Sequence, residues 1–168
     1  MTASATEDSQ LMSSEIDQQS NNNQYLTFLV GDEIYGVDIL RVQEIKGWTP
    51  VTSIPNTPSH IKGVLNLRGE LVPIFDIRIK FNMPHVEYKA TTVIIVTTLV
   101  LTTGERIIGL VVDGVWDVVN FLNKEIKDTP ALGSDTDTRF ISGLANFNDR
   151  NIMLLDTDQL FSEQDLQM

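Results

Sequence analysis

Two histidines and three aspartates are where chemistry would have to begin in this chain. His60 stands between Ser59 and Ile61 beside a proline-containing loop, and His85 follows Pro84. Neither has a second histidine at ligand spacing, and with no cysteine in the sequence nothing completes a metal site. Both therefore read as loop histidines. Asp76, Asp113 and Asp156 look like a repeated carboxylate feature, but each of Asp76 and Asp156 closes an apolar strand-like run. Helix capping accounts for those two better than general acid–base work. Serines and threonines are plentiful, yet none lies in G-x-S-x-G or beside an obvious base, and no G-x-x-x-x-G-K-[ST] loop is present to cradle phosphate. The residue types predict a protein that is not an enzyme and uses no cofactor or metal.

Binding chemistry is better represented. Arg68-Gly69 sits at the tip of GVLNLRGELVPIFDI (63–77), an otherwise apolar ribbon. An arginine fork at an exposed tip suits a partner carboxylate or carbonyl, and such interface arginines are each worth about 2 kcal/mol or more. A solvated hairpin tip is the competing account. In DILRVQEIKGW, strand periodicity sets Val42 and Glu44 on one face with Gln43 and Ile45 on the other, so Glu44 is placed to pair with Arg68. An exposed pair of this kind adds only ~0–1 kcal/mol to stability. Pro73 lacks a ladder donor and marks its strand as an edge, a bulge or a barrel corner. Trp116 reads as core before interface anchor.

The elements that must hold these residues are mostly strands. YLTFLV (25–30) and IYGVDI (34–39) alternate around a Gly31-Asp32-Glu33 turn, and Asp38 is placed to cap a short helical turn before VQEIKGW. Residues 49–60 hold three prolines and read as an ordered loop. HIKGVLNL and ELVPIFDI pair around Arg68-Gly69. A long hairpin follows, turning at Thr103-Gly104, and LLDTDQLF reads as a strand, then Asp156 as cap, then a short C-terminal helix. Comparing the chain with itself gives two matches. At an offset of 73, Gly31, Ile34, Gly36 and Val42 lie over Gly104, Ile107, Gly109 and Val115. At an offset of 80, Ile61, Gly63, Asn66, Asp76 and Phe81 lie over Ile141, Gly143, Asn146, Asp156 and Phe161. The order and spacing predict an all-β fold of two related, interleaved small barrels, with approximate repeat halves 25–81 and 93–161 joined near residues 82–92. Each barrel alone would be marginal, so the two must share a core, and their seam is a natural groove.

Residues 1–23, low in aromatics and acidic, read as a disordered tail, with a helix near Leu11–Ile16 as the lesser alternative, and 163–168 as a short C-terminal tail. Of the net charge of −11, that tail carries four acids and no base, which leaves 19 acids against 12 bases in the rest. An acidic body disfavours nucleic acid and anionic lipid. The N-terminus lacks the pattern of a secretory signal, and the longest apolar run, VIIVTTLVL (93–101), is too short to span a bilayer. A cytoplasmic protein is expected.

GDEIYGVDILRVQEI, HIKGVLNLRGELVPIFDIRIKF and GLVVDGVWDVV resemble the CheW family of bacterial chemotaxis coupling proteins, over about residues 24–162. The resemblance implies two five-stranded SH3-like barrels without catalysis. It implies an adaptor, a monomer in isolation and multivalent in arrays, that links the histidine kinase CheA through its regulatory domain to the cytoplasmic tips of methyl-accepting chemoreceptors. It further implies partner contact at Ile39, Val42, Glu44, Gly63 and Arg68, and an inter-barrel groove at Val93, Val115 and Val118 that takes the receptor helical hairpin. The hairpin VIIVTTLVLTTGERIIG is a few residues longer than the family pattern. The runner-up reading is a CheW-like regulatory domain cut from a chemotaxis kinase.

Overall fold

The computed structural model describes residues 22–84, 86–128 and 139–161. The Leu11–Ile16 segment, His85 and residues 163–168 lie outside them. Ten strands account for most of the described chain: β1 (Asn22–Val30), β2 (Glu33–Asp38), β3 (Val42–Gly47), β4 (Ile61–Leu67), β5 (Glu70–Asp76), β6 (Val93–Leu101), β7 (Gly104–Val112), β8 (Gly114–Leu122), β9 (Ile141–Phe147) and β10 (Arg150–Leu155). Two single-turn helices, α1 (Ile77–Lys80) and α2 (Thr157–Leu160), follow β5 and β10, and a 3-10 turn at Ile39–Arg41 joins β2 to β3. Strand β1 already begins at Asn22, inside the stretch read as tail, because Asn22 and Asn23 extend the ladder opposite Leu122 and Phe121.

Two five-stranded sheets result, ordered β8-β1-β2-β10-β9 and β3-β6-β7-β5-β4. Each curls into a small barrel by the same device. The chain leaving edge strand β3 runs on to Thr52, which exchanges both backbone hydrogen bonds with Val64 on the opposite edge, β4. The chain leaving β8 runs on to Lys127, which does the same with Leu144 on β9. Val64 and Leu144 are equivalent at the offset of 80, so closure itself is part of the repeat.

Strand n corresponds to strand n+5 throughout, but the halves do not each build one barrel. Residues 25–81 give β1 and β2 to barrel one and β3, β4 and β5 to barrel two; residues 93–161 give β6 and β7 to barrel two and β8, β9 and β10 to barrel one. Among the described residues, the chain crosses between barrels only at Ile39–Arg41 and at Asp113. Residues 82–92 therefore do not join the barrels: they connect α1 to β6 within barrel two. The cause is the seam in each sheet, a parallel pair (β2–β10 and β5–β7) that a hairpin cannot make and that draws its two strands from opposite halves.

Packing follows this plan. Ile34, Phe121, Ile152 and Leu154 fill barrel one, and Val72, Ile74, Ile94 and Val111 fill barrel two. The largest cluster lies between them and includes Phe28, Val37, Phe75, Ile95, Leu110 and Phe161, so the shared core expected from chain length is present. At the seams the glycines Gly36 and Gly109 face Leu154 and Ile74, equivalent pairs. A Cβ on Gly109 would lie 2.5 Å from Ile74 Cδ1 and 2.8 Å from Ile94 Cγ2, so a larger residue there would force the packed side chains to shift.

Of the three places that Pro73 could mark, the edge is excluded, since β5 lies between β4 and β7. Its ladder to β7 begins only at Ile74, whereas in barrel one Met153, the equivalent of Pro73, is paired with Tyr35. Pro73 occupies the point where β5 has not yet met β7, and there a missing donor is tolerated on that side.

Candidate protein-interaction surface

Two edge strands at equivalent places in the barrels, β3 and β8, carry most of the residues singled out by sequence. Asp38 accepts a hydrogen bond from the Leu40 amide at 2.9 Å and sets the 3-10 turn that delivers the chain to β3. Ile39 and Val42 are half-buried against the shared core. A bulge at Gln43 then turns Glu44 toward the β4–β5 tip. There Arg68 and Gly69 adopt φ of 54° and 87°, and the Arg68 guanidinium donates to the Glu44 carboxylate at 2.9 Å. The Arg68 side chain remains 82% exposed and that of Glu44 33%, so the pair presents a charged, pre-formed fork rather than a buried brace.

The equivalent tip in barrel one, Asn148-Asp149, has the same left-handed backbone, with φ of 51° and 63°. The tips thus differ in side-chain chemistry alone. Behind them the barrel mouths also differ. Trp116, the equivalent of Gln43, packs against the core of barrel one and meets Phe147 edge-on at 5.8 Å. The mouth of barrel two is an open cavity of about 290 Å³ lined by Gln43, Glu44, Leu67, Arg68, Val72 and Ile107.

Gly63 has another role. Its φ is +143°, and a Cβ there would fall 2.0 Å from the Thr52 carbonyl oxygen, in the contact that closes barrel two. Val93 opens β6 between Gly47 and Val112, half-buried on the shared core. From Val112 the chain turns at Asp113-Gly114 into β8, where Val115 and Val118 are exposed on an edge paired only with β1. The structure thus groups Ile39, Val42, Glu44 and Arg68 at one edge, puts Val115 and Val118 on the other with Val93 at its root, and makes Gly63 a backbone requirement.

Sequence reading missed a buried ionic centre. Arg78, in α1, has a side chain only 1% exposed. Its Nε and Nη2 donate to the two oxygens of Asp76 at 3.0 and 2.9 Å, and its Nη1 donates to Asp113 at 2.8 Å and to the Glu87 carbonyl at 2.7 Å. The Tyr88 hydroxyl donates to Asp76 at 2.7 Å, and the Tyr88 ring stacks on Trp48. Burial alone would favour a neutral Arg78, but its hydrogen bonds to Asp76 and Asp113 outweigh that and hold the guanidinium charged above its ordinary range. Burial, then the hydrogen bond to Asp76, pushes the Tyr88 phenol well up. Asp76 also caps α1, as expected, as Asp156 caps α2. The signal was in the D-x-R spacing of PIFDIR: a cap whose second neighbour is a cation returning to it. Among the described residues, no group of three His, Cys, Asp or Glu side chains could hold a metal ion, and no helix is long and apolar enough to cross a membrane.

The class of protein is thus a pair of interleaved five-stranded barrels with chemically distinct edges. The solved structure of the scaffolding protein TtCheW from Thermoanaerobacter tengcongensis superposes with a TM-score of 0.74 at 29% identity, covering 83% of this chain and 88% of that one. The family model of the CheW-like domain matches residues 24–165, and the chain belongs to that family. Among curated relatives, the chemotaxis protein CheW of Klebsiella aerogenes is 43% identical over 143 residues, 85% of this chain and 84% of that protein. The probable chemotaxis protein CheW of Rhizobium etli is 35% identical over 142 residues, 84% of this chain and 89% of that one.

Proposed function

We propose that this protein is a non-catalytic cytoplasmic adaptor that couples methyl-accepting chemoreceptors to the regulatory domain of the histidine kinase CheA and supports receptor arrays. The observation that carries the reading is the pair of unlike edges on one rigid body. One, at β3 and the β4–β5 tip, offers the Arg68–Glu44 fork beside an open barrel mouth. The other, at β8, offers exposed Val115 and Val118. An apolar edge suits an amphipathic helical hairpin such as a receptor tip, and a charged fork suits a second protein surface. Two moderate affinities on one molecule become strong when receptors and kinases are arrayed. The relatives' shared chemotaxis description, over most of both chains, supports the adaptor over a kinase fragment.

The test is a pull-down with receptor cytoplasmic tips and with the kinase regulatory domain, separately and together. The reading expects each to bind alone and both to be retained together. Binding of neither, or mutual exclusion, overturns it.

A further inference from the structure

The second residue of each short helix reaches across to the segment where the chain passes between barrels, and the charges are exchanged. Arg78 in α1 and Asp158 in α2 are equivalent at the offset of 80, and the amide of each donates to the capping aspartate two residues before it, at 3.0 and 3.1 Å. Arg78 donates to Asp113, the crossover from β7 to β8. Asp158 accepts two hydrogen bonds from Arg41, the last residue of the crossover from β2 to β3, at 3.1 and 3.3 Å. Each pair also secures backbone from the other barrel. The second oxygen of Asp113 accepts from the Gly31 amide of barrel one at 2.6 Å. Asp158, from barrel one, accepts from the Val100 amide of barrel two at 2.8 Å, while Arg41 reaches the Thr98 carbonyl at 3.4 Å and its own carbonyl accepts from Thr97 at 3.0 Å.

Position gives these pairs a meaning beyond stability. Asp113 stands at the root of β8, just before Val115, and Arg41 stands at the root of β3, immediately before Val42 and Glu44. The two anchors differ in burial. In the Arg78–Asp113 pair the arginine is sealed in and only its partner, 35% exposed, meets solvent, whereas both the Arg41 and Asp158 side chains are reached, at 32% and 22%. We propose that Arg41 and Asp158 are positioning residues for the β3 interaction edge. Their ion pair fixes where Val42, Glu44 and the Arg68–Glu44 fork stand relative to barrel one, as Arg78 and Asp113 do for β8. With both members reached by solvent, the β3 anchor is the more adjustable of the two, loosened by salt more than the pair whose arginine is sealed in.

This inference rests on the reading of β3 as a partner edge, and the experiment separates the two. Arg41→Asp and Asp158→Arg are made singly and as the exchanged double variant, alongside Arg68→Ala. Hydrogen exchange is followed at the amides of residues 42–46, at Val100 and along β8, and affinity is measured for a receptor tip and for the kinase regulatory domain. Each single variant is expected to speed exchange across 42–46 and at Val100 at least tenfold, to leave β8 unchanged, and to weaken one of the two probes about tenfold. The double variant is expected to restore exchange at 42–46 and affinity, with Val100 left unprotected because Asp158→Arg removes the acceptor of its amide. Unchanged exchange at 42–46, uniform acceleration over the whole chain, or no rescue in the double variant overturns the proposal. Faster exchange at 42–46 with undiminished affinity, while Arg68→Ala does weaken binding, also overturns it. If Arg68→Ala binds both probes like wild type, the partner reading of the edge falls, and the anchor with it.

Discussion

Arg68 and Arg78 belong to one motif and answer to opposite physics. Arg68 is held by a single exposed partner, so Arg68→Ala is expected to change unfolding free energy by only ~0–1 kcal/mol. Its binding loss is expected near 2 kcal/mol, as for arginine anchors elsewhere, and titration calorimetry beside a denaturant melt reads both. Arg78→Ala strands Asp76 fully buried without its cation and is expected to cost about 3–5 kcal/mol, measured by urea unfolding. Tyr88 gives a pH signature. Its phenol keeps its proton in the fold above the ordinary value of 10.0, while the unfolded chain releases it there. The folded state then holds more protons than the unfolded one, so this contribution is intact below pH 10 and is lost as pH rises beyond it. Tyr88→Phe is expected to lose stability less steeply above pH 10 than wild type does. Equal slopes would contradict the upward shift that burial and the Asp76 hydrogen bond give the phenol.

At the scale of elements, the sequence was informative wherever a local rule decided the outcome. Strand alternation, the Asp38, Asp76 and Asp156 caps and the Glu44–Arg68 pairing depend on neighbours one ladder or one turn away, and all appear as expected. Pro73 left edge, bulge and corner open because a proline shows only that a donor is missing. Whether that matters depends on β7, which approaches from the other half of the chain. Arg78 was passed over for a similar reason, since its partner Asp113 comes from a crossover that no local pattern reveals. The long hairpin expected from sequence is real. Beyond the matched pairs Gly36–Thr27 and Gly109–Val96, β1–β2 continues for three register pairs and β6–β7 for five. Gly63 supplies the prediction for this scale. Gly63→Ala puts a methyl into the Thr52 carbonyl at a φ that alanine resists, so barrel two should lose its closing bridge. Amides 52 and 64 are expected to lose exchange protection, with partner binding at the β4–β5 tip falling in parallel. Retained protection at both amides would show that the loop can retreat at little cost.

For the whole molecule, interleaving is the consequential feature. Because each half of the chain contributes to both barrels, neither barrel can be removed without breaking the other, and the two edges are held on one body through the shared core. The repeat was legible in sequence down to its identical residues, and interleaved barrels were expected, but the particular exchange of strands was not legible, since identity fixes which strands correspond and says nothing of which sheet each one joins. A rigid body with two unlike edges is what coupling requires: a partner on one must be held in register with a partner on the other. The most direct test is therefore kinase output. Receptor-bearing membranes and the histidine kinase are mixed with and without this protein, and autophosphorylation is followed as a receptor ligand is added. The account predicts that the kinase responds to receptor ligand only when the protein is present, and that Arg68→Ala abolishes most of that response. Ligand-responsive kinase without the protein, or no response with it although both partners are bound, would contradict the adaptor reading.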